Sequence, residues 1–424
     1  MADRADLVPL RRNRDFNLLW SGQVVSDLGG RVSGIALPLL VLALTGSPAK
    51  LGIVAATESL PLLVLTVPAG ALVDRRDRKR VMIVADAARC LAMASIVVAI
   101  AWHALTFTQI VVASIVEGAG YVFFGVAERS ALPRVVHADQ LPAAMARNQA
   151  REYTALLAGQ PLGGVLFGLG RVVPFVFDAA SYFVSIVTLS LIRTSFRRER
   201  EPAEGSRLSA EIGEGLRWFW RQPFIRTTSL LVTGSDFVLN ALYIVVIVLA
   251  RQRGASSALI GLMFLFVGVG GLLGSFVAER LAARLRMRTI VVATQTTVAI
   301  LVPLLVVVPG RITPGVLYGA MFFLHPTWNA SVGAYRLRAA PDRLQGRVGS
   351  IATILSLGPV PLAALLAGFL LEDLGSTPTV LVLAVVTAVV AAAAVVSPSV
   401  RRGPVELPRD VVTVPSADEA PLPL

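Results

Sequence analysis

The feature that most constrains this chain is a series of apolar stretches, each long enough to cross a lipid bilayer as a helix. No charged residue occurs in 289–310, 348–371 or 374–400. A run of about 20 apolar residues spans the hydrocarbon of a bilayer. Hydrophobic residues make up 55% of the chain and charged residues only 16%, which leaves too little polar surface for a soluble domain. The sequence therefore predicts an all-α polytopic membrane protein.

We predict twelve transmembrane helices from these stretches. Their approximate bounds are 15–44, 51–73, 81–103, 107–127, 143–169, 172–192, 227–250, 258–278, 289–309, 312–335, 348–371 and 376–399. Between the sixth and seventh spans lies the most polar internal segment. Leu208, Ile212, Leu216 and Phe219 recur within it at helical spacing, which predicts a short helix on the membrane surface.

The two sets of six spans echo each other in sequence. Matching pairs, at offsets of 203 to 209 residues, are Asp139 with Asp342, Gly164 with Gly368, and Gly52 with Gly261. A repeated offset predicts an internal duplication, and hence two pseudo-symmetric six-helix bundles. The predicted divisions are a cytoplasmic segment, a first bundle, a linker with the surface helix, a second bundle and a disordered cytoplasmic tail, at 1–14, 15–192, 193–226, 227–399 and 400–424.

The net charge of +12 is distributed by loop rather than gathered in one patch. Of the 39 lysines and arginines, 31 lie in segments on the same side as the amino terminus, and five lie in loops on the other side. This asymmetry predicts that both termini are cytoplasmic and that the basic loops meet anionic lipid headgroups. It argues against a nucleic-acid partner, which would require a continuous basic surface.

No pattern typical of catalysis or of a bound cofactor occurs in the chain. Cys90 is the only cysteine, the three histidines are scattered, and the phosphate-binding, metalloprotease and nucleophile-elbow motifs are missing. The glycines at 268–274 lie inside the eighth span, where small residues allow close helix packing. We therefore predict that the protein is not an enzyme and has neither a metal site nor a cofactor.

One short stretch is more specific. The uncharged residues 59–73 are followed directly by seven charged ones, so that 70–80 reads GALVDRRDRKR. This resembles the loop motif between the second and third spans of the major facilitator superfamily, with Asp77 in the place of the second glycine of the motif. The resemblance implies the major facilitator fold and a transport function. It also implies a cytoplasmic gate, for which the matching residues are Gly70, Asp74, Arg75, Arg78 and Lys79.

The resemblance extends along most of the chain. The stretches at 13–16, 43–48 and 341–347 are similar to the bacterial efflux subgroup that includes macrolide and siderophore exporters. This resemblance implies a monomeric secondary transporter of the bacterial inner membrane. It further implies that the transporter exports a small amphiphilic molecule by proton antiport with alternating access. Two antiporter elements are altered, since Glu117 replaces a glutamine whose preceding arginine is missing, and Pro161 is displaced by one position.

Ionisable groups inside the hydrocarbon are costly and are functional candidates by default. The predicted proton-coupling or substrate-binding residues are Asp27, Arg31, Glu117, Arg151, Asp236 and His325.

Each of these candidates also has a structural interpretation. Asp27 and Arg31 are one turn apart and either neutralise each other or hold substrate. Glu117 has no cation in its own span, which favours it as the proton carrier. Arg151 requires a partner on another helix. Asp236 either packs with the nearby Asn240 or takes part in transport, and His325 is either a packing histidine or a functional one.

Two other functions remain compatible with the sequence. One keeps the fold but makes the protein a lysophospholipid or lipid translocator, or an uptake facilitator. The other is a membrane scaffold or sensor that transports nothing.

Overall fold

The structure is a computed structural model that describes residues 9–194, 196 and 208–403. The predictions for 1–8, for most of the linker before residue 208 and for the disordered tail from 404 lie outside these residues.

The first half of the chain forms six long helices. Their bounds are α1 (Arg14–Thr45), α2 (Pro48–Arg75), α3 (Arg78–Ala101), α4 (Phe107–Val135), α5 (Leu141–Leu169) and α6 (Val173–Leu191). Within this bundle α1 packs on α5 and α6, while α3 and α4 pack on each other and, respectively, on α6 and α2.

The second half repeats the arrangement with interrupted helices. The linker helix is α7 (Leu208–Arg221), followed by α8 (Pro223–Gln252), α9 (Ser257–Met263), α10 (Leu265–Arg284), α11 (Met287–Val307), α12 (Thr313–Met321), α13 (His325–Trp328), α14 (Ala334–Ala339), α15 (Asp342–Leu357), α16 (Pro359–Asp373), α17 (Ser376–Val396) and α18 (Pro398–Arg402). The helix predicted in the linker is thus present as α7.

Short polar caps set the helix boundaries between the spans. The side chain of Asn13 accepts a hydrogen bond from the backbone N–H of Phe16, which starts α1. Gly46 ends α1 in the left-handed conformation (φ 66°), which glycine adopts without a steric penalty. Ser47 then caps α2 one residue later. Because these caps satisfy the free backbone groups, long helices can follow each other through very short turns.

Ten helical segments of the described residues are long and apolar enough to span a membrane. The other two of the twelve predicted spans are present but differ in kind. The fifth coincides with α5, which carries the charged residues Arg147, Arg151 and Glu152. The tenth is divided into α12, α13 and α14, with Pro326 in the first turn of α13 and a π-helix at Asn329–Gly333. The eleventh span is also interrupted, at Gly358. The next residue is Pro359, which lacks a backbone N–H and so cannot continue the hydrogen bonding of the preceding helix.

The outer surface of the bundle is apolar. Large aliphatic and aromatic side chains are exposed along the helices, among them Leu91, Phe183, Phe276 and Val385. A soluble protein of this size does not expose so much contiguous apolar surface, whereas lipid solvates it.

The two halves meet at one end of the bundle. We call the end that carries residues 74–80 the basic end, and the opposite one the far end. At the far end Gly52 of α2 packs against Gly368 of α16, and Gly164 of α5 packs against Gly261 of α9. The internal repeat relates Gly52 to Gly261 and Gly164 to Gly368. The two helix crossings are therefore pseudo-symmetric, and together they seal the far end.

Candidate functional site

A cavity of about 970 Å³ lies between the two halves. It reaches the basic end, where Leu141 and the exposed Met145 line it, whereas the glycine crossings close the far end. The cavity therefore opens toward the basic end.

The two walls of the cavity differ in chemistry. All of its charged lining residues come from α1 to α5, namely Asp27, Arg31, Glu58, Arg89, Glu117, Glu128, Arg129, Arg151 and Glu152. The second half contributes the uncharged residues Asn240, Tyr243, Ile244, Val360 and Ala364. A molecule bound here would meet polar groups on one side and mostly apolar groups on the other.

Glu117 is at the centre of the charged wall. Its Oε1 accepts hydrogen bonds from Arg89 Nε at 2.9 Å, from Arg89 Nη2 at 2.5 Å and from the Tyr182 hydroxyl at 2.5 Å. Its Oε2 is buried and has no hydrogen-bond partner within the described residues. Glu117 lies ten residues from the far end of α4, which corresponds to about 15 Å along the helix axis.

The structure shows that Glu117 has a cationic partner, although the sequence shows none in its own span. The cation missing from its own span is supplied by Arg89 of α3, whose guanidinium also lies 4.2 Å from the centre of the Tyr182 ring. Gly120 of α4 makes the contact possible, because a Cβ atom there would lie 2.6 Å from Arg89 Cδ. A buried ion pair with additional hydrogen bonds holds its charges far better than an isolated carboxylate would.

The arginine is shared with a second carboxylate. Asp86, one turn before Arg89 on α3, lies 3.5 Å from the guanidinium and is fully buried. The Ser185 hydroxyl donates to Asp86 Oδ2 at 2.5 Å, and the Gln23 side-chain amide donates to Ser185 at 2.8 Å. Since Gln23 lines the cavity, these residues connect the cavity wall to the interior of the first bundle.

A second arginine is shared in the same way. Arg151 of α5 contacts Glu128 through both terminal nitrogens, at 2.7 and 3.3 Å, and its Nε lies 2.7 Å from Asp27 Oδ2. Of the two interpretations of Asp27 and Arg31, the structure does not show their mutual ion pair, because α5 brings Arg151 to Asp27. The expectation that Arg151 pairs with another helix is confirmed. Arg31 instead lines the cavity, with its stem packed against Gly159.

The two candidates of the second half lie outside the cavity lining. The Ser356 hydroxyl donates to Asp236 Oδ2, and the Asn240 side-chain amide donates to the Asp236 backbone carbonyl at 2.7 Å. His325 packs edge-on against the Phe322 ring, 6.1 Å away between centres. The structure does not bring either residue together with the Glu117 or Arg151 pairs.

The predicted gate residues have several roles here. A Cβ atom at Gly70 would meet nothing within 4 Å, so α2 does not pack closely on the eleventh span at the basic end. Asp77, which replaces the second glycine of the motif, caps α3 by accepting a hydrogen bond from the Lys79 backbone N–H. Lys79 donates to the carbonyls of Ser190 and Ile192 at the end of α6. Asp74 and Arg75 are exposed and Arg78 is buried.

Some site residues were missed by the sequence reasoning. Glu128 was placed in a loop because the fourth span was ended at 127, yet α4 continues to Val135. Arg89 and Asp86 were visible as charges three residues apart inside the third span, the signal that could have identified them. Tyr182 had no sequence signal, since its role depends on the position of Glu117.

No group of three or more potential metal ligands occurs in the part of the chain that the structure covers. The arrangement offers instead two arginines, each shared by two carboxylates, next to a cavity of small-molecule size.

Comparison with known proteins places this geometry in a family. A family model described as "Transmembrane secretion effector" matches residues 4–410. The multidrug efflux pump Tap of Mycolicibacterium fortuitum is 27% identical over 91% of this chain and 96% of its own. Tap of Mycobacterium tuberculosis is 30% identical over 87% and 89% of the two chains, respectively. Macrolide efflux protein A of Streptococcus pyogenes is 22% identical over 47% of this chain and 50% of its own.

Solved structures show the same fold at low identity. A bacterial homologue of the human lysosomal transporter Spinster, described as inward-facing and unoccupied, superposes with a TM-score of 0.70 and 14% identity. The match covers 92% of this chain and 97% of that one. The predicted major facilitator fold is confirmed by this likeness, although ten rather than twelve segments of the described residues are long and apolar enough to span a membrane. The resemblance to efflux proteins is confirmed by the relatives.

Proposed function

Because the chain belongs to the transmembrane secretion effector family of the major facilitator superfamily, we propose that it exports small amphiphilic compounds from the cytoplasm in exchange for protons. The family and the efflux relatives support a membrane transporter of small molecules. The substrate class, the export direction and the coupling to protons are our proposal.

The observation that carries the proposal is the position of Glu117. Its carboxylate lies at the cavity wall with one oxygen held by Arg89 and Tyr182 and the other unpartnered within the described residues. A proton or a donor group of the substrate can occupy that free oxygen, but not both. Such competition is the minimum requirement for antiport, because each ligand then displaces the other.

The walls of the cavity support an amphiphilic substrate. A polar or charged group would face the first half, and an apolar body would lie against Ile244, Val360 and Ala364. The volume of about 970 Å³ fits a drug-sized molecule. Glu117 and the two shared arginines hold the polar group, while Arg31 adds a cation at the cavity wall.

The two ends of the cavity support alternating access. The far end is closed by glycine crossings, and the basic end is open. The charge distribution supports a cytoplasmic location of the basic end. In this conformation the cavity would take up substrate from the cytoplasm, and closure around Gly70 and Asp74 would accompany opening of the far end.

An accumulation assay in a bacterial host that lacks its own efflux pumps tests the proposal. Cells expressing the parent chain should accumulate less of a macrolide or of ethidium, and a protonophore should abolish the difference. Glu117→Gln should accumulate these compounds like cells without the protein. Glu279→Gln, which changes an exposed glutamate on α10, is the matched control and should export like the parent. Export by Glu117→Gln at the parental rate would contradict the assignment.

A further inference from the structure

Asp178 of α6 is a buried carboxyl group that the site described above does not use. It is fully buried, at 0% exposure, between α6 and α1. A Cβ atom at Gly29 of α1 would lie 2.6 Å from Asp178 Oδ1, so α1 packs directly on the carboxyl group at this glycine. Asp178 does not line the cavity.

The surroundings of Asp178 provide little to compensate a negative charge. Oδ1 is 3.3 Å from the Ser181 hydroxyl, which lies closer to the Asp178 backbone carbonyl, at 2.7 Å. Oδ2 has no hydrogen-bond partner of good geometry among the described residues, although the Ser33 hydroxyl of α1 lies close. Ser33 Oγ is itself buried and unpartnered in the same part of the chain.

The charged groups that act on Asp178 do not neutralise it. From α3, Arg89 is already paired with Glu117 and Asp86, and from α4, Glu117 adds a further negative charge. Tyr182 is directed to Glu117, and Cys90 of α3 bonds to the Ala179 carbonyl. With Asp86, Glu117 and Asp178 all ionised, three buried carboxylates would share one guanidinium. An uncompensated buried charge is far more costly than a neutral acid.

We propose that Asp178 carries a proton in this conformation and is a second proton-carrying residue of the transport cycle, behind Glu117. The proton on Oδ2 gives both orphaned atoms a partner, because the carboxyl O–H can donate to Ser33 Oγ. Release breaks the O–H bond of Asp178, passes the proton to the free oxygen of Glu117 and leaves a carboxylate on Asp178. Arg89 then balances that carboxylate in place of the newly protonated Glu117.

This inference rests on the proposed proton antiport, but its first test does not require transport. Infrared spectra of the purified protein at neutral pH should contain the C=O band of a protonated carboxyl group. The band should be missing from the spectrum of Asp178→Asn and therefore present in the parent-minus-variant difference spectrum. Asp373→Asn, which alters an exposed aspartate at the end of α16, should leave this band unchanged.

Stability provides a second readout that separates a protonated acid from an ionised one. Because asparagine mimics the neutral acid in shape, Asp178→Asn should melt at the parental temperature or above. A protonated-carboxyl band in Asp178→Asn as strong as in the parent, or a clear loss of melting temperature at neutral pH, would overturn the proposal. Failure of pH-driven export in the parent, with the band present, would instead overturn the antiport function and leave the protonation of Asp178 standing.

The transport readout completes the test. Asp178→Asn should lose export driven by a pH gradient while it retains substrate exchange between the two sides without a gradient. The Asp373→Asn control should keep both. Parental pH-driven export in Asp178→Asn would contradict its role in the cycle.

Discussion

Two buried arginines dominate the chemistry of the first half, and each has two carboxylate partners. Arg89 is shared by Glu117 and Asp86, and Arg151 is shared by Glu128 and Asp27. An arginine with a single carboxylate would form a closed neutral pair and have little reason to exchange protons. The extra acid in each group leaves one negative charge to be balanced by a proton or by a cationic substrate, which suits a coupling device.

The partner of Asp27 can be identified by stability. Arg151→Ala leaves the buried Glu128 and the partly exposed Asp27 without the cation that they share, and breaking a buried pair costs about 3–5 kcal/mol. Arg31→Ala leaves the Asp27–Arg151 ion pair intact and should change the unfolding free energy by about 1 kcal/mol or less. The thermal melting temperatures of the two variants in detergent compare these effects. A larger loss in Arg31→Ala than in Arg151→Ala would contradict this assignment and favour Arg31 as the partner of Asp27.

The sequence identified the single residues whose charge is energetically costly inside an apolar span. Asp27, Glu117 and Arg151 stand out because charges inside apolar spans need a reason. Their partners did not stand out, since spacing along one helix reveals only neighbours one turn away. Asp27 contacts α5 rather than its own helix, and Glu117 contacts α3 and α6. These contacts depend on how helices are arranged, which the spacing does not contain.

Among the structural elements, the far-end crossings of α5 and α16 bring the helix backbones of the two halves into close contact. A Cβ atom at Gly164 would lie 2.7 Å from the Gly261 Cα atom, and one at Gly368 would lie 2.9 Å from the Gly52 Cα atom. Both distances are shorter than those between non-bonded carbon atoms in proteins, so an added Cβ atom would force the helices to shift. The seal therefore depends on glycine at all four positions.

Gly164→Ala should weaken this seal. Each ~1 kcal/mol taken from the sealed state raises the fraction open at the far end about fivefold. In a Cys90→Ala background with Ala55→Cys on the cavity wall, an impermeant thiol reagent supplied at the far side should react faster after the change. Gly168→Ala, one turn further along α5 where a Cβ atom meets nothing within 4 Å, is the matched control. Equal labelling rates in the two variants would show that the crossing does not hold the far end shut.

The continuity of the elements was only partly visible in the sequence. Apolar length indicated most spans, because the bilayer sets that length, whereas the fifth span, α5, carries several charged residues. The division of the tenth span was missed, although Pro326 lies within it, because prolines are tolerated inside membrane helices and α1, α4 and α5 continue through theirs. The predicted fourth span ended too early at its basic end, because the charged residues there indicated a loop. The ion pair with Arg151 allows Glu128 to be buried within the helix instead.

For the whole molecule, the orientation in the membrane remains to be measured. The charge asymmetry predicts that the loop at 102–106 is external and that 136–140 is cytoplasmic. In intact cells with Cys90→Ala, Ala104→Cys should react with an impermeant thiol reagent and Ala138→Cys should react only after the membrane is permeabilised. Both positions are exposed, so access to solvent is matched. The reverse pattern would invert the proposed direction of transport.

The fold as a whole followed from the sequence, whereas its conformation did not. Apolar runs, the repeat near Gly164 and Gly368, and the stretch at 70–80 together led to the twelve-span transporter fold. The same stretch implied a cytoplasmic gate, yet the basic end is open in this structure. One sequence must be compatible with both ends of an alternating cycle, so its motifs do not indicate which state a given structure adopts.

The most direct test of the account measures protons and substrate together. The purified protein is placed in liposomes that enclose a pH-sensitive dye and are loaded with ethidium at equal internal and external pH. Outflow of ethidium through the parent should drive protons inward and acidify the interior, and Glu117→Gln should show neither effect while Glu279→Gln shows both. Ethidium flux through the parent with no change in internal pH, in the presence of a counter-ion pathway that prevents a membrane potential, would contradict proton-coupled export.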